Sequence, residues 1–229
     1  AGRLGVLMGI QYLYTIHGGK GILPMGVPGV PAAEITILGA GDAGIGAIKT
    51  AIGLGAKVNI MEISTRRLEE LENQFGSRAS YYVSNRGNLE KLLKQSDAIV
   101  NCIFWPKLRT DHLIYRKDLS LMKRHALIID ISCDVNGGVE TCKATTHEDP
   151  VYEVDGITHY CVDNIPGAVP FTSSQYLAAQ SFPYILDLAN NPSNLTRNPV
   201  IKNAILTKDG TLTNRIVAEK YGFKLSELD

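Results

Sequence analysis

Three glycines, Gly39, Gly41 and Gly44, close one apolar run at residues 35–38 and open a helical pattern. GxGxxG recurs by chance, but between a strand and a helix it has a specific use. The first glycine permits a tight turn. The second lets the backbone approach a pyrophosphate, and the third lets the helix pack closely on the strand. The helix start then offers unpaired N–H groups and a positive dipole end to phosphate oxygens. The next apolar run, residues 58–61, ends in Glu62. A carboxylate there accepts from the adenosine ribose 2′-hydroxyl and repels a 2′-phosphate, which favours NAD over NADP. Arg66 and Arg67 follow. An arginine there either turns to a 2′-phosphate or lies solvated in the first turn of a helix.

A second chemically loaded stretch runs from Ile128 through Asp130, Ser132, Cys133 and Asp134 to Gly137 and Gly138. In an open α/β sheet, ligands lie outside the carboxyl ends of the strands. Asp134 falls just past such an end, where a carboxylate can stabilise the ammonium or iminium cation of an amine substrate. The sequence leaves a second reading open, in which Asp134 only bonds loop N–H groups. Asp130 is read in that second way. Trp105-Pro106 follows another apolar run and either lines the cleft or caps the sheet. His17, His112, His125, His147 and His159 show no spacing typical of a metal or nucleophile-activating site, and are read as structural or solvent-facing.

These groups need a regular frame, and the chain supplies one. Strands are expected at 35–38, 57–63, 81–83, 98–104 and 126–131, with helices at 43–54, 65–75, 88–95 and 119–123 between them. Such alternation builds βαβ units and hence a doubly wound parallel sheet of Rossmann type with flanking helices. Residues 1–14 read as a helix, and the following stretch to Pro31 is a Gly/Pro-rich loop. After residue 165 the pattern becomes helical: 173–190 interrupted by Pro183, then 200–206 and 214–221. The expected organisation is a connecting segment at 1–30, a dinucleotide-binding domain at 31–170 and C-terminal helices at 171–229.

Composition narrows the functional classes. The 229 residues are 45% hydrophobic and 20% charged, with 23 basic and 23 acidic side chains. With no net charge, no global field draws the chain to nucleic acid or an anionic membrane. No apolar run is long enough to span a bilayer. Cys102, Cys133, Cys142 and Cys161 form no CxxC pair and are read as buried reduced thiols, which suits a cytoplasmic protein. The sequon at Asn194 is read as chance in the absence of a secretory signal. The chain begins without Met, directly in an apolar pattern, and reads as a segment cut from within a longer protein.

Two stretches carry a resemblance. Thr145-Thr-His-Glu-Asp-Pro-Val-Tyr152 and Asn164-Ile-Pro-Gly-Ala-Val-Pro170 are far more specific than the glycine pattern. With the opening Ala-Gly-Arg helix, Gly18-Gly-Lys-Gly21, Val27-Pro-Gly29 and the glycine loop in order, nearly the whole chain resembles the alanine dehydrogenase family. That family includes the nucleotide-binding α subunit of proton-translocating transhydrogenase and N5-(carboxyethyl)ornithine synthase. The resemblance implies a substrate domain built from both chain ends around a central NAD domain, with this chain lacking the N-terminal segment and residues 171–229 returning to that domain. It implies an NAD site of Gly39, Gly41, Asp42 and Gly44 at the phosphates, Glu62 at the ribose, and Arg67 and Ser84 near the adenosine. Ile103, Phe104, Ile131 and Asp134 would line the nicotinamide side, with Lys143, Val162 and Asn164 close by. Asp134 matches the family's catalytic acid, a feature absent from the transhydrogenase branch.

The implied reaction is reversible oxidative deamination of L-alanine to pyruvate and ammonia, in a homo-oligomeric enzyme with no nucleic-acid or membrane partner and no metal. Some residues depart from that branch. Phe171 stands where the dehydrogenases commonly carry a basic residue, and Asp134-Val-Asn-Gly-Gly138 replaces Asp-Gln-Gly-Gly. Asn101–Pro106 and Ser132-Cys133 look more like the carboxyethyl-ornithine synthase side. An opine-type synthase reducing a pyruvate–amine imine, and a nucleotide-binding regulatory module without catalysis, are the alternatives.

Overall fold

The computed structural model describes residues 1–106, 109–134, 136–192 and 196–226. The chain divides into two units, Ala1–Ala168 and Val169–Asp229. The sequon at Asn194 lies outside the described residues, as does Val135 in the Asp134 loop.

The first unit is built on a seven-stranded sheet. Its strands are β1 (Glu34–Leu38), β2 (Lys57–Glu62), β3 (Ala79–Val83), β4 (Ala98–Asn101), β5 (Leu127–Asp130), β6 (Val151–Val154) and β7 (Ile157–Tyr160), in the order β3-β2-β1-β4-β5-β7-β6. All pairs are parallel except β6 with β7. The order reverses between β1 and β4, so the crevice beyond their carboxyl ends is where a ligand is expected.

Burial on both faces explains the near-continuous apolar strands. On β5, Leu127 and Ile129 point to one core and Ile128 to the other. The first core receives α1 (Gly2–Gly9), α2 (Asp42–Gly53) and α3 (Thr65–Phe75) through Val6, Ile48, Leu71 and their neighbours. The second receives α4 (Arg86–Gln95) through Leu89, Leu92 and Leu93. Ser64 and Asn85 cap α3 and α4 by accepting from the backbone N–H groups of Arg67 and Asn88, which fixes where those helices begin.

Several expected elements differ. The strand expected at 98–104 stops at Asn101, because Asn101 Oδ1 captures the Ile103 N–H at 3.2 Å and bends the chain away from the ladder. The helix expected at 119–123 is a 3-10 segment over Arg116–Leu121. Its start is held by the Asp118 carboxylate, which accepts from Tyr115 N and pairs with Arg86. The helix expected at 1–14 tightens to 3-10 geometry from Ile10. The β6–β7 hairpin was not expected, although Asp155 and Gly156 carry its turn at φ +51° and +79°.

The second unit holds α5 (Pro170–Asn190), α6 (Pro199–Ala204), the short pair β8 (Thr207–Lys208) and β9 (Thr211–Leu212), and α7 (Arg215–Tyr221). Helix α5 continues through Pro183 without a break and exposes Phe171, Tyr176, Leu177 and Phe182. Among the described residues, no helix is long and apolar enough to cross a membrane.

Candidate functional site

Gly39 turns the chain out of β1 at φ +82°, a region open to glycine at no steric cost. A Cβ on Gly44 would lie 2.1 Å from the Gly39 carbonyl oxygen, so the helix can sit this close to the turn only without a side chain. A Cβ on Gly41 would meet nothing within 4 Å. The open space at Gly41, beside the first turn of α2, fits a pyrophosphate held by backbone N–H groups. Asp42 is the first residue of α2 and shares the cleft wall with Gly39 and Gly41.

Glu62 ends β2 beneath this turn. Its Oε2 accepts from Ala40 N at 2.9 Å, and its Oε1 accepts from Ile63 N at 2.8 Å and Ser64 N at 3.1 Å. With about four acceptor positions on a carboxylate, Oε2 keeps one for a ribose hydroxyl. Arg67 Nε donates to the Ala40 carbonyl at 3.2 Å, so this arginine braces the glycine turn from the other side. Arg66 and Arg67 both pair with Glu70 on the surface of α3. Arg66 is thus solvated, as the sequence allowed, whereas Arg67 is half-buried against the turn.

A cleft of about 700 Å³ runs along the carboxyl ends of β1, β2 and β4. Of the expected site residues, Gly39, Gly41, Asp42, Glu62, Ser84, Ile103 and Phe104 line it. Ser84 is placed by its N–H, which donates to the Glu62 carbonyl at 2.8 Å. Phe104 is largely exposed. Gly44 and Arg67 support the turn without lining the cleft.

A second hollow of about 150 Å³ is lined by Ile131, Val162 and Asn164, together with Ala1, Cys133 and Pro166. Asn164 sits at φ +52°, in the left-handed region that asparagine tolerates better than most residues. Asp134 is exposed on the loop after β5 and lines neither space. Lys143 is exposed too, with its Nζ 4.6 Å from the centre of the Tyr152 ring.

Residues that the sequence had not singled out also shape the cleft. Ala40, Ile63, Cys102, Arg109 and Ser132 line it. Trp105 and Pro106 line it too, the first of the two positions the sequence left open for them. The guanidinium of Arg109 lies 4.2 Å from the Trp105 ring centre and pairs with Asp111. Ala40, Ile63, Cys102 and Ser132 share one signal: each lies one or two residues past the end of a parallel strand. His159 is buried, stacks on Tyr152 and bonds Ile157 O and Thr141 Oγ1. Burial pulls its pKa down, so it is a neutral structural histidine.

The chain matches the model of the family described as alanine dehydrogenase/PNT, C-terminal domain, over residues 5–215. It is 39% identical to an alanine dehydrogenase of Methanococcus maripaludis, covering 96% of this chain and 60% of that protein. It is also 39% identical to an alanine dehydrogenase 2 of Staphylococcus aureus, covering 100% of this chain and 62% of that protein. A solved L-alanine dehydrogenase is 36% identical and superposes with a TM-score of 0.87 over 97% of this chain and 62% of its own. A transhydrogenase from Sinorhizobium meliloti, 24% identical with a TM-score of 0.66, shares the fold. The chain spans about three fifths of the length of these alanine dehydrogenases.

Proposed function

Because the chain belongs to the alanine dehydrogenase/PNT C-terminal domain family, we propose that it is the NAD-binding part of an L-alanine dehydrogenase. The observation that carries this reading is the glycine turn at the point where the strand order reverses. It opens onto the same cleft as Glu62, Ser84, Ile103 and Phe104. Gly41 and the start of α2 would hold the pyrophosphate, Glu62 the adenosine ribose, and Ile103, Phe104 and Ile131 the nicotinamide end. Lys143, Val162 and Asn164 flank that end.

NAD is favoured over NADP because Glu62 presents negative charge where a 2′-phosphate would sit, while Arg66 and Arg67 are engaged with Glu70. When bound, the nicotinamide supplies the hydride acceptor and donor. Asp134 stabilises the cationic nitrogen of the substrate amine or positions the water that attacks it. The walls of the cleft would hold the ring in one orientation. The enzyme is assigned to the cytoplasm as a homo-oligomer, and the exposed apolar side chains of α5 support its assembly.

Two measurements test this reading. Calorimetric titration of the chain should show NADH binding more tightly than NADPH. An intact enzyme containing this chain should oxidise NADH with pyruvate and ammonia. Turnover with pyruvate and ornithine, but not with ammonia, would replace the alanine assignment by an opine-type synthase. NADH binding without turnover of any amino acid would make it a regulatory module.

A further inference from the structure

Asp130, the last residue of β5, is only 1% exposed. Its Oδ1 accepts from Asn101 Nδ2 at 2.9 Å and from Ser132 N at 3.1 Å. Asn101 is its register partner at the end of β4, and Asn101 Oδ1 in turn accepts from Ile103 N at 3.2 Å. One carboxylate therefore ties the loop after β4 to the loop after β5. The tied residues Ile103 and Ser132 line the large cleft, and Ile131 and Cys133, on either side of Ser132, line the smaller hollow.

The other oxygen, Oδ2, has no hydrogen-bond partner of ordinary geometry. The Cys142 thiol lies against the carboxyl, and Cys161 and Cys133 continue a chain of thiols from it. Burial pushes the Asp130 carboxyl up to about 6, against the smaller opposing pull of Cys142, Asn101 and Ser132. At neutral pH the fold thus keeps a carboxylate ionised where burial disfavours it. The two hydrogen bonds need only an acceptor oxygen, which asparagine offers at the same volume. Asparagine does not offer the negative charge.

We propose that Asp130 is a positioning residue for the nicotinamide: its oxygen fixes the spacing of the two loops, and its negative charge biases the cleft toward the oxidised ring. This rests on the cofactor reading given above. The oxidised ring is a pyridinium cation and the reduced ring is neutral, so a negative charge buried just behind the wall favours the first. Low-dielectric surroundings strengthen that preference. The titratable groups that face Asp130 are Cys102 beyond β4, Cys133 and Asp134 beyond β5, Cys142, and Cys161 beyond β7. A hydrogen bond with Cys161 and burial push the Cys133 thiol up, and burial with the nearby Asp130 charge pushes Cys102 up. Cys142 and Cys161 are also raised, against an opposing hydrogen bond from a neighbouring thiol, so the four stay protonated and neutral around pH 6.

The test is to titrate the 229-residue chain with NAD⁺ and with NADH from about pH 5 to about pH 8, alongside Asp130→Asn and Asp130→Ala. In the parent, the ratio of NAD⁺ to NADH affinity should rise roughly five- to tenfold with pH, centred near the carboxyl's titration. In Asp130→Asn the ratio should stay low and flat, with NADH affinity within about twofold of the parent. Asp130→Ala removes the acceptor and should weaken both ligands. A pH step that persists in Asp130→Asn overturns the inference and leaves the cofactor reading intact. A parent that binds neither dinucleotide overturns both.

Discussion

The Glu62 carboxylate accepts a hydrogen bond from the Ala40 N–H at 2.9 Å, linking the end of β2 to the middle of the glycine turn. The same side chain that is assigned to the ribose therefore also shapes the phosphate loop. Glu62→Ser removes both functions. NADH affinity should fall, and the preference for NADH over NADPH should narrow by roughly tenfold, because the repulsion of a 2′-phosphate disappears. Paired titrations with the two reduced dinucleotides measure this. An unchanged affinity ratio would remove Glu62 from cofactor selection.

The glycine turn separates packing from binding. Gly44→Ala places its Cβ against the Gly39 carbonyl, so backbone must move, and a stability loss of roughly 1–3 kcal/mol is expected. Gly41→Val points into open space in the absence of ligand. It should melt close to the parent yet bind NADH at least about tenfold more weakly, since the branched side chain occupies the pyrophosphate position. Thermal melting and calorimetry on both variants check the contrast. Parent-like NADH binding by Gly41→Val would place the phosphates elsewhere.

Asp130 also makes a prediction about stability. Its carboxyl is raised in the folded chain from the ordinary 3.8 to about 6, so folding favours its protonated form. The stabilisation from this group is fully present below about pH 4 and is lost as pH rises through about 6. Replacing the carboxylate by a neutral amide should therefore raise stability at neutral pH, by on the order of 2 kcal/mol. The gain should shrink toward pH 4. Melting curves of Asp130→Asn and the parent across that range test the sign. A variant that is less stable at neutral pH would show that the charge strengthens the fold.

The part of this site that lies along one stretch of chain was legible in the sequence. Gly39 to Gly44 carry their meaning locally, and Glu62 is found by following one strand to its end. The alternation that orders β1 to β5 was readable too, since most of these strands are short apolar runs separated by helical patterns. The Asp130–Asn101 pair was not, because it joins residues 29 positions apart that only the β4–β5 register brings together. The same pair explains why the strand expected to reach Phe104 stops at Asn101. The β6–β7 hairpin had a readable signal in Asp155-Gly156, a dipeptide suited to the positive φ angles of a two-residue turn. Its strands are short and half-polar, so they did not stand out as apolar runs.

Asp134 carries the chemical prediction. It lies on the exposed loop four residues beyond the buried Asp130, next to Cys133 in the wall of the smaller hollow. Two glycines shape this loop: a Cβ on Gly137 would sit 2.9 Å from the Asp134 carbonyl oxygen, and one on Gly138 would sit 3.3 Å from the Trp105 ring. The loop is thus folded tightly against the residue that walls the large cleft. In the proposed role, a carboxylate there would act on the cationic nitrogen that develops as hydride leaves the substrate, so its effect would fall on the transition state and not on the dinucleotide. Asp134→Asn keeps the size and removes the charge. In the intact enzyme it should lower turnover by roughly two orders of magnitude or more. NADH affinity should change little, because the contacts at Gly39–Gly44 and Glu62 are untouched, and the melting temperature should stay near that of the parent. Measuring all three separates the outcomes. Near-normal turnover would make Asp134 a loop residue, and activity lost together with melting temperature would make it structural. A selective loss of turnover identifies it as the acid that handles the substrate nitrogen.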